Sequence, residues 1–392
     1  MPLVDPAPIR AFLEPRHLEL AARASSFAEE QLLPLPEPAD DGGARREARR
    51  LLRLLGAAGW YRWAVPAAWG GGDEAPDLRA CCLIREALAA ASPLADAVFA
   101  LQCLGSMPLT LDGTDEQRRR WLPAVATGEA MAAFAMTEPE AGSDVAAIAT
   151  RATRDGDGWT LEGHKSFISN AGIADYYLVF ASTDPQAGRL GLSCFLVPEG
   201  TAGLRFAAPQ VLAAPHPLGE LAFTGCRLPA EALIGGEGEG FAVGMRTLDR
   251  LRPTVAAAAC GMAARALAEA LTHARDRRQF GRPLAEQQMI QEKLALSAGE
   301  LTAARLLTYR AAWEADRGDR RVTLPAAMAK AFATEAAQRV VDRAVQVLGG
   351  RGVLASSPVD RLYRSVRALR IYEGTTEIQH LIVARELLRK PG

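Results

Sequence analysis

Apolar positions along the chain change their rhythm twice. Over the first third they recur three and four residues apart. In 17–33, HLELAARASSFAEEQLL, the residues Leu18, Ala21, Ala22 and Phe27 fall near one face, the pattern of an amphipathic helix. ARREARRLLRLLGAAGW continues that pattern to the Gly-Trp break at 59–60, and VPAAWGGGD (65–73) is a Pro- and Gly-rich loop. Helical spacing resumes over about 77–105 and again in TDEQRRRWLPAVATG, where Thr114 and Gln117 form a T-x-x-Q capping box.

Between about Met131 and Ile234 the rhythm shortens. DGDGWTLEGHKSFIS, DYYLVFAS, GRLGLSCFLVP and GELAFTGCRLP are short, aromatic and β-branched, and Gly, Asp and Pro turns separate them. They predict antiparallel strands, too few for a large domain, and so a small barrel or sandwich lodged between helical domains. Helical spacing returns over about 240–275, 285–317, 325–348, 359–371 and 377–389, which suits an up-and-down bundle, with Pro253 expected to perturb the first run. The order α–β–α without βαβ alternation argues against a doubly wound sheet. The expected class is α+β multidomain: a helical domain at 1–130, a small β domain at 131–235 and a helical bundle at 236–392.

Composition narrows this picture without changing it. The 392 residues suffice for two or three cores, and 49% hydrophobic with 23% charged residues is ordinary for a globular protein. A net charge of −1 offers no field to attract nucleic acid or an anionic membrane. No apolar run approaches the roughly 18 residues of a membrane span, and the first residues lack the plan of a secretion signal. The six cysteines are scattered and never form CxxC, which suits a reduced interior rather than a disulfide framework or zinc site. Lysine occurs only at 165, 293, 330 and 390; with abundant alanine this fits a GC-rich bacterial genome, and a cytoplasmic location is expected.

Several tempting motifs fail on chemistry. GGEGEG (235–240) lacks G-x-G-x-x-G spacing, and Glu237 and Glu239 would repel a pyrophosphate. There is no Walker lysine loop, HExxH or G-x-S-x-G, and the five histidines show no metal-ligand spacing, so no metal is expected. His216 reads as structural. Arginines 361, 364, 367 and 370 form a stripe that reads as a solvated or intersubunit face. RIYEGTTEIQ (370–379) is harder to dismiss. Its Glu373 sits between apolar Ile371-Tyr372 and Gly374, either as a solvated helix end or as a general base in a dry site.

Four stretches together resemble the acyl-CoA dehydrogenase family. AMTEPEAGSDVAA (135–147) and QVLGGRGV (346–353) look like its two signatures. RDRRQFGRPL (275–284) resembles its R-x-x-F-G segment, and RIYEGTTEIQHLIVARELL (370–388) its catalytic end. GTDEQRRRWLPAVATGE (113–129), KSFISNAG (165–172) and LDRLRPTVAA (248–257) extend the likeness over nearly the whole chain. The resemblance implies a helical, a β and a four-helix-bundle domain, a homotetramer or homodimer, and FAD in a cleft between domains and subunits. It implies α,β-dehydrogenation of an acyl-CoA thioester, with hydride passing to flavin N5 and electrons onward to an electron-transferring flavoprotein.

The resemblance also assigns residues. Glu373 matches the base that removes the α proton, and its N–H a donor to the thioester oxygen. A weakly acidic α proton calls for a desolvated carboxylate with a raised pKa, which Ile371 and Tyr372 can help provide, while Gly374 allows close backbone approach. Some relatives carry the base at the position of Leu251, which cannot act so. Phe134, Met136, Thr137, Gly142 and Ser143 match the loop on one side of the flavin ring, Ser143 also matching a substrate ligand. Phe167, Ile168 and Ser169 match the strand on the other side. Arg277, Gln279 and Phe280 match the pyrophosphate and adenine end. Gln346, Gly349 and Gly350 match a neighbouring subunit's contribution, and Thr375 and Glu377 further FAD contacts. Thr376 with Gln379 also reads as a capping box. Asp249 and Arg252, with Tyr372 and Gly374, match positions near the substrate; the first two equally suit an i, i+3 ion pair.

Ser365 departs from the usual Asp. A relative with changed chemistry, using an acyl-carrier-protein substrate or oxygen, is the alternative function, and a flavin-free helical protein a third. No arginine lies in 95–105 to recruit a dicarboxylate, so a neutral acyl chain is favoured.

Overall fold

A computed structural model describes residues 3–318 and 321–389. In chain order come α1 (Pro15–Phe27), α2 (Asp41–Ala57), α3 (Leu78–Ala91), α4 (Pro93–Asp112) and α5 (Asp115–Thr127). Eight strands follow: β1 (Ala132–Ala135), β2 (Arg151–Asp155), β3 (Gly158–Ser169), β4 (Tyr176–Ser182), β5 (Leu192–Pro198), β6 (Leu204–Pro209), β7 (Leu218–Leu228) and β8 (Leu233–Ile234). Then come α6 (Gly240–Asp276), the small hairpin β9 (Arg278–Gln279) and β10 (Arg282–Pro283), α7 (Gln288–Arg317), α8 (Thr323–Leu348), α9 (Pro358–Leu369) and α10 (Thr376–Leu388).

These elements group into two compact units. One joins residues 1–36, 78–96 and 249–392; the other joins 37–77 and 97–248. The helices of the first third are thus shared between the two.

The sheet-bearing unit explains its own sequence pattern. Along β4, Tyr176, Leu178 and Phe180 enter one core while Tyr177, Val179 and Ala181 enter another, and β5 alternates likewise. A strand buried on both faces must be apolar throughout, as β4 is. One core holds Leu122 and Val125 of α5 and Val243 of α6. The other joins Tyr177 and Phe195 to Trp159 of β3 and Phe223 of β7, so the sheet folds over onto itself as a small sandwich. The strand order is β6-β7-β3-β2-β4-β5-β8, with β1 on β4. The expectation of a purely antiparallel set is corrected here, because β1 and β2 both pair with β4 in parallel. Their link to β4 runs through long intervening segments rather than tight turns, which leaves strand direction free. The predicted cap of α5 is present: Thr114 and Gln117 bond each other reciprocally.

The helical unit has a core made largely of alanine, including Ala256 and Ala259 of α6, Ala311 of α7, and Ala329, Ala333 and Ala337 of α8. Helix α6 runs unbroken through Pro253, contrary to the expected perturbation. The loss there is one backbone bond, which burial of the flanking residues offsets. Helices α4 and α6 have the length and mean hydropathy of a membrane span, although charged residues such as Asp96 and Arg252 interrupt each apolar run. They are core helices: 83% and 72% of their most apolar windows is buried inside the fold.

Close approach of α6 to α3 depends on Gly261. A Cβ added there would lie 2.0 Å from the Glu86 carbonyl oxygen. Gly261→Ala gains helix propensity but forces two backbones apart, and is expected to lower stability by about 1–3 kcal/mol, read as a lower melting midpoint.

Candidate active site

The residues between α9 and α10 form a turn that the sequence dictates step by step. Helix α9 ends at Leu369. Glu373 (φ 55°) and Gly374 (φ 91°) are then both left-handed, which breaks the helix and turns the chain into α10. Glycine adopts that region freely, whereas glutamate does so at a cost of roughly 1–3 kcal/mol, a strain typical of functional positions. Thr375 caps α10 by accepting from the Ile378 N–H at 3.3 Å. The expected Thr376–Gln379 box is therefore not formed, and the cap sits one residue earlier: the Thr376 hydroxyl bonds Glu335 instead, at 2.8 Å.

The carbonyls of the turn are held from three sides. Arg252 Nε and Gln379 Nε2 each reach the Glu373 oxygen at 3.3 Å. Gln379 Nε2 and Lys330 Nζ reach that of Gly374 at 3.0 and 2.6 Å. The Glu373 N–H donates to no described residue. Its carboxylate is the notable group: Oε2 is buried with no hydrogen-bond partner among the described residues. Burial raises its pKa above the ordinary carboxylate value, partly offset by the charges of Arg85, Lys330 and Arg252 and reinforced by Asp96. The sequence expectation that Ile371 and Tyr372 enclose it is corrected in part: they remain 53% and 38% exposed.

Three of these charged neighbours were not anticipated. Arg85, on α3, is 1% exposed and bonds both Asp96 oxygens through Nε and Nη2, at 2.7 and 2.9 Å, and Thr254 Oγ1 through Nη1 at 2.9 Å. Lys330 is fully buried. The signal was one or two charges inside an apolar helical run: Arg85 with Glu86 in ACCLIREALAAA, Asp96 in PLADAVFALQ and Lys330 in AAMAKAFA. Asp249 and Arg252 form the i, i+3 ion pair, and Asp249 also accepts from Thr323 Oγ1 at 2.6 Å. Leu251 is buried. Ser365 bonds its own helix at the Arg361 carbonyl, 2.9 Å, so no orphaned group marks the departure from Asp.

In the sheet-bearing unit the predicted loop and strand come together. Lys165, fully buried, donates to the Met136 carbonyl at 3.0 Å and to Glu138 Oε1 at 2.7 Å. Glu138 in turn accepts from the Ala149 and Thr150 N–H groups at 2.7 and 2.9 Å. This pins the segment holding Met136, Thr137, Gly142 and Ser143, and the Thr137 carbonyl accepts from the Ser166 N–H at 3.0 Å. A register shift between Lys165 and Ile168 bulges β3, and Phe167 (φ 56°) is turned out, 58% exposed. Ile168 points the other way, into the core, so only its backbone is available to a ligand. Phe134 packs against Phe180, ring centres 4.8 Å apart. Ser169 Oγ meets His216 Nε2 at 2.7 Å. Burial and the nearby Arg45 charge push His216 down to about 4, so it is neutral at pH 7, in keeping with a structural role.

The remaining candidates lie on exposed features of the helical unit. Arg277 precedes, and Gln279 ends, the first strand of a small hairpin whose corner, Phe280 and Gly281, has φ of 52° and 80°. That geometry belongs to a type I′ turn, where phenylalanine is unusual. Phe280 is 94% exposed. Gln346 is exposed near the end of α8, and Gly349 and Gly350 follow it, where an added Cβ would meet nothing within 4 Å. Glu377 is held below the ordinary carboxylate value by its own backbone N–H and the Thr375 hydroxyl, which explains these two residues as a helix start.

Profiles of the acyl-CoA dehydrogenase N-terminal, middle and C-terminal domains match residues 14–129, 133–226 and 238–388. A probable acyl-CoA dehydrogenase, fadE25, of Mycobacterium leprae is 38% identical over 379 residues, 96% of each chain. A 3-(aryl)acrylate reductase of Clostridium sporogenes is 36% identical over 381 residues, 96% of this chain and 100% of that one. The structure of butyryl-CoA dehydrogenase from Megasphaera elsdenii superposes with a TM-score of 0.90 at 35% identity, covering 96% of this chain and 99% of that one. This chain therefore belongs to the acyl-CoA dehydrogenase family, whose members are FAD-dependent oxidoreductases.

Proposed function

We propose that this protein oxidises an acyl-CoA thioester to the 2-enoyl-CoA, with Glu373 as the base that takes the α proton. The observation that carries this reading is the buried Oε2 of Glu373, without a partner, on a turn strained to present it. A carboxylate with an unsatisfied oxygen is ready to accept a proton, and its raised pKa brings it nearer a weak carbon acid. The adjacent N–H, with no partner of its own, can receive the thioester oxygen and stabilise charge that develops there.

The chain's residues fit FAD. Gly142, Gly349 and Gly350 leave open space where a side chain would stand. Phe167 and Phe280 present bare rings, and exposed Arg277 and Gln279 offer a cation and donors suited to a diphosphate. When bound, FAD supplies the acceptor for the hydride that leaves the β carbon. We assign Phe134, Met136, Thr137, Ser143, Ile168, Ser169, Gln346, Thr375 and Glu377 to the same cofactor, and Ser143, Asp249, Arg252, Tyr372 and Gly374 to the substrate. The domain boundaries at 130/131 and 235/236 belong to this proposal.

Arg85 is bound in bidentate fashion by Asp96, so it offers no free charge to a carboxylate tail, which supports a neutral acyl chain. Bare Leu381, Leu387 and Leu388 on the last helix and Val353 before α9 support self-assembly, as a homotetramer or homodimer. The six buried thiols support a cytoplasmic setting. An electron-transferring flavoprotein is the proposed electron acceptor.

The test is anaerobic titration of the FAD-loaded protein with a panel of acyl-CoA thioesters. At least one neutral acyl-CoA should bleach the flavin, with reoxidation faster by ferricenium or a flavoprotein than by oxygen. Bleaching only by acyl-carrier-protein thioesters, or turnover coupled to peroxide formation, would replace this reading with the alternative chemistry.

A further inference from the structure

Only four lysines occur, among 45 lysines and arginines together. Two of the four, Lys165 and Lys330, are wholly buried, and each sends its ammonium to a backbone carbonyl of a turn that carries candidate site residues. An ammonium is a compact donor on a flexible stem, whereas a guanidinium is a rigid planar fork, so a single buried carbonyl suits lysine better. Lys165 also has a bonded counter-ion in Glu138. Lys330 has none: the one hydrogen bond of its ammonium among the described residues goes to the Gly374 carbonyl, at 2.6 Å.

The charged groups facing Lys330 are Glu373 on the turn, Arg252 with its partner Asp249 on α6, Glu335 on its own helix and Glu377 on α10. Glu335 is taken up by Arg370, at the end of α9, and by Thr376. A buried cation without a bonded anion costs stability, and a methionine of similar length would avoid that cost. The charge has a use at this place. It grips the carbonyl that follows the strained residue of the turn.

We infer that Lys330, in its protonated form, is a positioning residue for Glu373: its ammonium fixes the Gly374 carbonyl and with it the left-handed turn that aims the carboxylate. This rests on the reading of Glu373 as the base. Burial draws Lys330 down to about 8 despite the attraction of Glu373, so the grip weakens as pH rises through that region. Its effect on stability has the opposite sign. The unfolded lysine keeps its proton to a higher pH, so above about 8 the unfolded chain binds more protons and the folded state gains. A residue that merely held the fold together would lose both together.

Lys330→Met and Lys330→Gln, loaded with FAD, test this with the acyl-CoA that bleaches the wild type best. The wild-type bleaching rate should fall above pH about 8. Both variants should lack that alkaline limb and bleach roughly 10- to 100-fold more slowly at pH 7, with substrate half-saturation little changed. Their melting midpoints should not fall, and amide hydrogen exchange over 371–379 should quicken with or without FAD. Wild-type rates, a retained alkaline limb, or loss of activity only together with FAD and melting midpoint would each overturn the assignment. Should the methionine variant not fold, the glutamine variant and the wild-type profile decide. Glu373→Gln separates the two readings. Normal bleaching by it removes the base, whatever the lysine variants do; a dead Glu373→Gln beside unaffected lysine variants removes only the clamp.

Discussion

Glu373→Gln is expected to retain FAD and lose flavin bleaching by roughly 10²–10⁴-fold, the range that removal of a general base commands. Glutamine keeps the shape of the side chain and cannot accept the α proton. The wild-type rate should rise with pH through a value above the ordinary carboxylate range, because the group must be ionised to act and burial holds it protonated longer. Stability moves the other way. A folded pKa above the unfolded one means the folded state binds more protons in that window, so the contribution of Glu373 to stability declines as pH rises through it. The glutamine variant removes that burden and should melt no lower than wild type at pH 7. Stopped-flow bleaching against pH, with FAD content measured alongside, checks each part. Full turnover by the variant would remove Glu373 from the chemistry.

The second large effect concerns the Arg85–Asp96 pair. Both side chains are almost wholly buried, 1% and 3% exposed, so solvent screens little of the interaction. Burial opposes the Arg85 charge, and Asp96 more than offsets it, leaving Arg85 firmly protonated. Arg85→Met strands a carboxylate in a low-dielectric interior and should lower stability by about 3–5 kcal/mol. Arg85→Met with Asp96→Leu should recover most of that loss, because no uncompensated charge remains. The single variant should also raise the pKa of Glu373 further, since a leading opposing charge is gone, and shift the acid limb of the rate profile to higher pH. Thermal melting at matched FAD occupancy, with the bleaching profile, reads both. Equal melting of the single variant and wild type would show that the pair carries no net stabilisation.

Much of this was legible because local rules and tertiary demands agreed. Thr114 and Gln117 cap α5 as their spacing requires, and the Ile-Tyr-Glu-Gly break is a turn with the carboxylate inside. The helical runs 240–275 and 325–348 match α6 and α8 to within a few residues. What escaped was decided by partners far along the chain. Arg85 and Lys330 look like stray charges in apolar helices until Asp96, Thr254 and the Gly374 carbonyl stand beside them. Thr376 gives its hydroxyl to Glu335, 41 residues away, and Thr375 caps the helix in its place. The parallel pairing of β1 and β2 with β4 is likewise invisible to a two-residue alternation, which fixes faces and not directions. Which helices of the first third group with which core also escaped, because periodicity names a buried stripe without naming what covers it.

The alanine seam of the helical unit has a consequence for how this protein tolerates change. Alanine gives up no rotamer freedom when it is buried, so a core of Ala256, Ala259, Ala329, Ala333 and Ala337 forms with little side-chain entropy lost. Such a core also has little left to truncate, and the cavity-forming mutations that damage leucine-rich interiors are scarcely available to it. The hazard lies in growth. Each added methylene must displace a neighbouring helix, so substitutions along α6 and α8 should be harmful in proportion to the volume they add.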